Sequence, residues 1–386
     1  MREPGASRIL ARSILEAAIR PLDPLLPARL PRERWSDRLF TGIGTTLDGT
    51  VMRAMQFVVE RALIPDTEQV DALRESALPL LTPELQEDPR RFFGFLDDPP
   101  HTVKLARRRR GRRIEGGTVY DCRIESDYTP LIVGANEAES TPIHVELWQH
   151  ETRPSRGTMI ALHGFTMGRP RVDAVVLMAN QWYERGLDVA LFTLPYHGAR
   201  TPPESRFSGE HFAMPDVGRL SEAVREAVYE IRRVIHWRRE ETGAPVGVLG
   251  LSLGGYLAAL MGGLVEDLDF VIPIVPPVCI GDLAWGFFKH TQHYQQGGEA
   301  TISHDELRRA FRVHSPLAHP LRAPREGVLI VAGRGDRVVP PEHPAALHQH
   351  WDRPEIHWFS GSHLAPFGRG GVVRTISRHL RSLRIL

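Results

Sequence analysis

VGVLGLSLGGY, Val246 to Tyr256, is the stretch on which the reading of this 386-residue chain turns. Val246 to Leu249 is an apolar run of strand length, and a helix pattern continues from about Leu253 to Leu264. Between them stands Gly250-Leu251-Ser252-Leu253-Gly254, a serine at a sharp strand-to-helix turn. Such a turn holds the serine in a strained backbone and projects its hydroxyl clear of a sheet. The flanking glycines let strand and helix approach closely. The helix amino terminus beneath it favours developing negative charge. A bare G-x-S-x-G occurs by chance, but in this setting Ser252 reads as a nucleophile.

Outward from the turn the same alternation repeats. Thr158 to Leu162 reads as a strand, then Val172, Val175, Val176 and Ala179 mark a helix closed by Gly186. Val189 to Leu194 is the next strand, and Leu220, Val224, Ala227, Val228, Ile231 and Ile235 share one face of the next helix. Further strands are read at Val271 to Val275, Val328 to Ala332 and Ile356 to Phe359, with a terminal helix through Val372, Val373, Ile376, Leu380 and Leu383. Upstream, Tyr120, Cys122 and Ile124, then Ile143, Val145 and Leu147, alternate with polar neighbours as antiparallel strands do. This order predicts an α/β protein with a mainly parallel sheet covered by helices on both faces. Sites in such sheets collect at the carboxyl ends of the strands.

A serine hydroxyl is a poor nucleophile near neutral pH, so it needs a base, and the base needs an orienting acid. The order nucleophile, acid, histidine predicts an acid after a later strand and a histidine after the last one. GVLIVAGRGDRVVPP puts Asp336 in the loop after Val328 to Ala332, and IHWFSGSHLAPFG puts His363 in a Gly/Ser loop after Ile356 to Phe359. Singly, one is an ordinary turn aspartate and the other is one of 18 histidines. In order, each at a strand end, they favour the catalytic reading. Leu162-His163-Gly164-Phe165 follows the first parallel strand, where a glycine lets a backbone N–H turn toward the site. One oxyanion donor is therefore assigned to the N–H of Phe165 and the other to that of Leu253. The His163 side chain reads as structural.

With these motifs together, residues from about 120 to 386 resemble the α/β-hydrolase superfamily: an H-G loop, a nucleophile elbow, a late acid and a last-loop histidine in family order. The HGF form departs from the HGGG of many lipases and is closer to the dienelactone-hydrolase and peptidase-like branch. The resemblance implies hydrolysis of a carboxylic ester, or of a thioester or amide, through an acyl-enzyme and with no cofactor. Acyl transfer by the same triad, and non-catalytic binding by the same fold, are the alternatives.

Two regions are expected to shape a substrate pocket. LPYHGAR, Leu194 to Arg200, sits at a strand end, so Tyr196, His197 and Arg200 are in reach of a ligand. An insertion over 279–316, read as a cap, carries Trp285, Phe287, Phe288 and Tyr294, suited to an apolar acyl or aryl group. His290 and His293 have metal-capable spacing without an evident third ligand, and no metal site is assigned.

Residues 1–113 read as a helical extension and 114–386 as the catalytic domain. In the extension Leu47, Val51, Met55, Val58 and Ala62 recur at helical spacing, and Val70, Leu73 and Ala77 suggest a further turn. Leu10, Ile14 and Ala18 share a face flanked by Arg8, Arg12 and Arg20, for which packing on the catalytic domain is preferred over contact with an anionic membrane surface. The basic run Arg107 to Arg113 reads as a solvated loop or strand edge. A formal charge of +1, from 48 basic and 47 acidic residues, argues against a nucleic-acid partner. The 42% hydrophobic content suffices for a sizeable core. Cys122 and Cys279, the only cysteines, read as buried thiols rather than a disulfide framework. No stretch approaches the ~20 apolar residues of a membrane span, and a soluble, cytoplasmic protein acting on a small ester or acyl substrate is expected.

Overall fold

Apolar residues that alternate along a strand reach both faces of a sheet, and this chain uses both. The computed structural model describes residues 21–32, 35–62, 80, 82–94, 96, 103, 105–131, 142–212, 217–288, 303–365 and 369–386. In chain order the elements are α1 (Trp35–Ala62), α2 (Pro83–Glu87), α3 (Pro89–Phe93), β1 (Leu105–Ile114), β2 (Gly117–Ile124), β3 (Ile143–His150) and β4 (Gly157–Leu162). They continue with α4 (Pro170–Val176), α5 (Ala179–Glu184), β5 (Leu187–Thr193), α6 (Val217–Thr242), β6 (Val246–Leu251), α7 (Leu253–Leu264) and β7 (Phe270–Ile274). The last are α8 (Ile280–Phe288), α9 (His304–Ala310), β8 (Leu329–Gly333), α10 (Glu342–His350), β9 (Glu355–Phe359) and α11 (Arg369–Ser382).

Nine strands form one sheet in the order β1-β2-β3-β5-β4-β6-β7-β8-β9. Pairing is antiparallel from β1 through β3 to β5 and parallel from β5 to β9. Every residue of β4, β5, β7 and β8 is buried, as a parallel sheet covered on both faces requires. Ile160, Leu162, Val246 and Val248 pack with Val224, Ala227, Val228 and Ile231 of α6 and with the apolar α7. Their strand neighbours Met159, Ala161 and Leu249 face the other way, onto Trp182 of α5 and Val373, Ile376 and Leu380 of α11. The α/β class expected from the sequence is the one observed.

Local readings divide: the arginine run is a strand edge, as read, and others change. The arginine run lies within β1, an edge strand whose charges pair outward: Arg110 with Glu151 at 3.1 Å and Arg108 with Glu241 at 2.7 Å. Charge on an edge discourages pairing with another chain. The boundary expected at 113/114 therefore falls inside a strand of the sheet. In α1 the helix is present, but Leu47 is 45% exposed, whereas Gly44 and Asp48 are buried; the side chains of Val51, Met55, Val58 and Ala62 lie outside the described residues. Cys122 and Cys279 are free and buried, and burial pushes their thiols up to about 11 and about 12. Among the described residues no helix is long and apolar enough to cross a membrane. The readings at residues 1–20, at Val70, Leu73 and Ala77, and at His290, His293 and Tyr294 lie outside the described residues.

Candidate active site

Ser252 follows β6 directly and caps α7, with φ 56° and ψ −113°. A non-glycine residue there carries strain of about 1–3 kcal/mol and persists only where its surroundings enforce it. They do. The Ser252 N–H donates to the Ile274 carbonyl at 2.9 Å, and its own carbonyl accepts from Tyr256 at 2.8 Å. A Cβ added to Gly250 would lie 1.9 Å from the Gly254 carbonyl oxygen, and one added to Gly254 would lie 2.2 Å from that of Leu162. Glycine is required at both because backbone passes there.

Because β6, β8 and β9 run parallel, their carboxyl ends open on one edge, and the loops that follow them meet. His363 Nε2 is 2.9 Å from Ser252 Oγ, and His363 Nδ1 is 2.7 Å from Asp336 Oδ2. Asp336 Oδ1 accepts from the N–H groups of Val338 at 2.9 Å and Val339 at 2.7 Å. With Asp336 ionised and Oδ1 taken by these two N–H groups, Oδ2 accepts a hydrogen bond from the proton on His363 Nδ1, which leaves Nε2 free to accept from Ser252. Burial alone would depress the imidazole. The Asp336 charge and hydrogen bond, with the Asp48 charge behind them, lift its pKa above the usual histidine value. Burial raises the Asp336 carboxyl, opposed by the His363 charge and hydrogen bond and by the Val339 N–H.

The HGF loop lies beside the serine: a Cβ added to Gly164 would be 3.6 Å from Ser252 Cβ. His163 is buried, with Nδ1 2.9 Å from the Gly164 carbonyl oxygen and Nε2 accepting from the Leu194 N–H at 3.1 Å. Burial pulls its pKa down to about 3, so it is a neutral brace, as expected. Phe165 and Leu253 are both half-buried. Leu253 opens α7, so its N–H has no acceptor within the helix.

The pocket residues are distributed differently from expectation. Tyr196 is buried, at positive φ, and stacked on His211 with ring centroids 4.9 Å apart. His197 is fully buried between His163 and Phe212, its Nδ1 2.8 Å from the Pro195 carbonyl oxygen, and burial pulls it down to about 4. It is enclosed by its own loop, which corrects its reading as a ligand-facing side chain. Arg200 is corrected in the same way. Its guanidinium is buried against Glu230 (2.5 and 2.8 Å) and Glu226 (2.9 Å) of α6. Trp285 stacks face to face on His304, centroids 5.0 Å apart, joining α8 to α9. Phe288 ends α8, and its side chain lies outside the described residues. Asp282, the alternative acid, is engaged by His304 and Arg308, each at 2.6 Å.

One residue at the site escaped the sequence reading. Asp48 of α1 is fully buried, and it accepts hydrogen bonds from both catalytic loops.

A mainly parallel sheet with a strained serine elbow, a buried histidine and a late carboxylate at one edge defines an α/β fold of the hydrolase type. Comparison with known proteins agrees. Residues 99–284 match the family model described as Alpha/beta hydrolase domain containing 18, and residues 208–373 match that described as Serine hydrolase (FSH1). An uncharacterized protein of Mycobacterium tuberculosis, Rv2627c, is 31% identical over 319 residues, covering 76% of this chain and 71% of its own. Acetyl xylan esterase 1 from Thermoanaerobacterium sp. superposes with a TM-score of 0.57 at 15% identity, covering 75% of this chain and 92% of the esterase. The acetyl xylan esterase from Paenibacillus sp. R4 gives 0.54 at 16% identity, covering 76% and 93%. The chain belongs to the α/β-hydrolase superfamily, and its match to the serine-hydrolase model spans residues 208–373.

Proposed function

We propose that the chain hydrolyses a carboxylic ester through an acyl-enzyme formed on Ser252. The observation that carries this reading is the hydrogen-bond chain at the sheet edge, Ser252 Oγ to His363 Nε2 at 2.9 Å and His363 Nδ1 to Asp336 Oδ2 at 2.7 Å. Ser252 attacks the carbonyl carbon while His363 takes its proton. The developing oxyanion is held by the N–H groups of Phe165 and Leu253, donors that act only on transition-state charge and are each worth ~10²–10³ in turnover. His363 then returns the proton to the leaving alkoxide. A water deprotonated by the same imidazole releases the acid and restores the serine. Asp336 holds the imidazole tautomer and stabilises its cation. Thioesters and amides enter the same cycle with a different leaving group. Cap helix α8, through Trp285, is assigned the apolar wall that selects the acyl or aryl group.

The test is turnover by purified protein of p-nitrophenyl esters of graded acyl length, with and without an added alcohol. Release of p-nitrophenol with free acid as product is expected. Ester product in place of acid would move the assignment to acyl transfer. Absence of turnover across esters, thioesters and amides would refute it.

A further inference from the structure

The catalytic cycle leaves one buried charge at the site unused. Asp48 sits on α1, far from the triad in sequence, and has no exposed surface. Its Oδ1 accepts from Ser362 Oγ at 2.8 Å and from the Leu364 N–H at 3.1 Å. Its Oδ2 accepts from the His363 N–H at 3.0 Å and the Arg337 N–H at 3.1 Å. Four donors saturate the carboxylate. They come from two loops: Arg337 follows Asp336 directly, and the other three flank or include His363. The neighbouring turns of α1 reinforce the same seam. Thr41 Oγ1 accepts from the Gly361 N–H at 3.3 Å, Thr45 Oγ1 is 3.0 Å from the Gly335 carbonyl oxygen, and Arg334 donates to the Pro31 carbonyl at 2.7 Å.

Burying a carboxylate is costly unless it is fully hydrogen-bonded, and well-packed apolar residues join two surfaces at least as stably. Docking alone therefore does not call for a charge here. What a carboxylate does, and a leucine cannot, is hold four N–H and O–H groups of two loops at fixed spacing.

We propose that Asp48 is a positioning residue of the catalytic site. Its carboxylate ties the backbone of the acid loop to that of the histidine loop and so holds Asp336, His363 and Ser252 in line, making α1 part of the catalytic unit. The proposal rests on the triad reading above. The charged groups acting on the His363 imidazole are Asp336 from the loop after β8 and Asp48 from α1. The Arg337 guanidinium lies further along α1, where a Cβ on Gly49 would come within 3.3 Å of it.

Two sets of variants test this, read by the rate of fluorophosphonate labelling of Ser252 and by p-nitrophenyl acetate turnover across pH. Asp48→Asn keeps the volume but removes the charge and turns one acceptor oxygen into a donor, which opposes the Leu364 N–H in the Oδ1 position and two N–H groups in the Oδ2 position. Turnover should fall roughly 10- to 100-fold with KM little changed, as expected for a misplacement of up to ~1 Å. The acid limb of the rate profile should move to lower pH, because His363 loses one of the charges that support its cation. A merely structural role would lower the melting temperature and leave that limb in place.

The second set leaves Asp48 intact. A Cβ on Gly44 would sit 2.9 Å from Ser362 Oγ and 3.0 Å from its backbone nitrogen, whereas one on Gly42 meets nothing within 4 Å. Both alanines raise helix propensity equally. Gly44→Ala should slow labelling and Gly42→Ala should match wild type. If Asp48→Asn does not fold, this pair decides alone. Wild-type protein that is not labelled at Ser252 overturns the triad reading beneath the proposal. Labelled wild type with Gly44→Ala at the wild-type rate, or with a folded Asp48→Asn whose rate and acid limb are unchanged, overturns the role of Asp48.

Discussion

Asp336→Asn keeps the size of the side chain and reverses one hydrogen bond. Oδ1 holds the Val338 and Val339 N–H groups at 2.9 and 2.7 Å, so the asparagine carbonyl takes that position and its amide nitrogen faces His363 Nδ1. Two donors cannot share that 2.7 Å contact. The imidazole must then carry its proton on Nε2, against Ser252 Oγ, where it cannot accept the serine proton. In the serine-protease triad this tautomer reversal costs ~10⁴ in turnover. At about 1.36 kcal/mol per decade that is about 5.5 kcal/mol of transition-state stabilisation. Cavity and packing are unchanged, so the melting temperature should remain near wild type. The assay is p-nitrophenyl ester turnover beside a circular-dichroism melt of the same preparation. Turnover within tenfold of wild type in a folded variant would refute the reasoning and pass the acid role to another carboxylate. Asp282, engaged by His304 and Arg308, and Asp48, engaged by four donors of the two loops, already have partners of their own.

Two further outcomes follow from buried charge and buried imidazole. Arg200→Ala strands Glu230, which has no exposed surface, beside Glu226; a loss of about 3–5 kcal/mol is expected in urea unfolding. A loss below 1 kcal/mol would show that the cluster is not a structural anchor. Burial holds His163 and His314 down to about 3 and His197, His319 and His343 down to about 4. Their folded pKa values lie below the unfolded value of ~6.5, so the stability they contribute is full above that pH and is lost as pH falls towards 4. Each costs up to about 1.4 kcal/mol for every pH unit below that value, and five together about 7 kcal/mol per pH unit. Against a typical total of about 5–15 kcal/mol, far-UV circular dichroism should report cooperative unfolding between about pH 6 and 4. A native spectrum at pH 4 would contradict this.

That Ser252, Asp336 and His363 come together was legible because each stands where a strand pattern ends. What lay beyond the sequence was partnership across distance. Arg200 reads as a free cation at a strand end; its partners Glu226 and Glu230 stand on α6, and no periodicity links them. His197 reads as a loop side chain, yet the loop folds over it. The sharpest miss is α1. Hydrophobic periodicity began the helix at Leu47, which is exposed, but the residues laid on the loops of Asp336 and His363 are Thr41, Gly44, Thr45 and Asp48. Those four stand at i, i+3, i+4 and i+7 as surely as an apolar stripe does. Small and polar residues at that spacing mark a helix that meets backbone rather than a greasy core, and this was the available signal.

The central claim is that Ser252 is activated by His363 and by the Phe165 and Leu253 amides. Its most direct test is peptide mapping of the folded protein after reaction with a fluorophosphonate. Only an activated serine displaces fluoride from the tetrahedral phosphorus at a useful rate, so the account predicts a single stable adduct at Ser252. That adduct should be absent in Ser252→Ala and formed far more slowly in His363→Ala. Folded wild-type protein left unlabelled, or labelled at another serine, would contradict it.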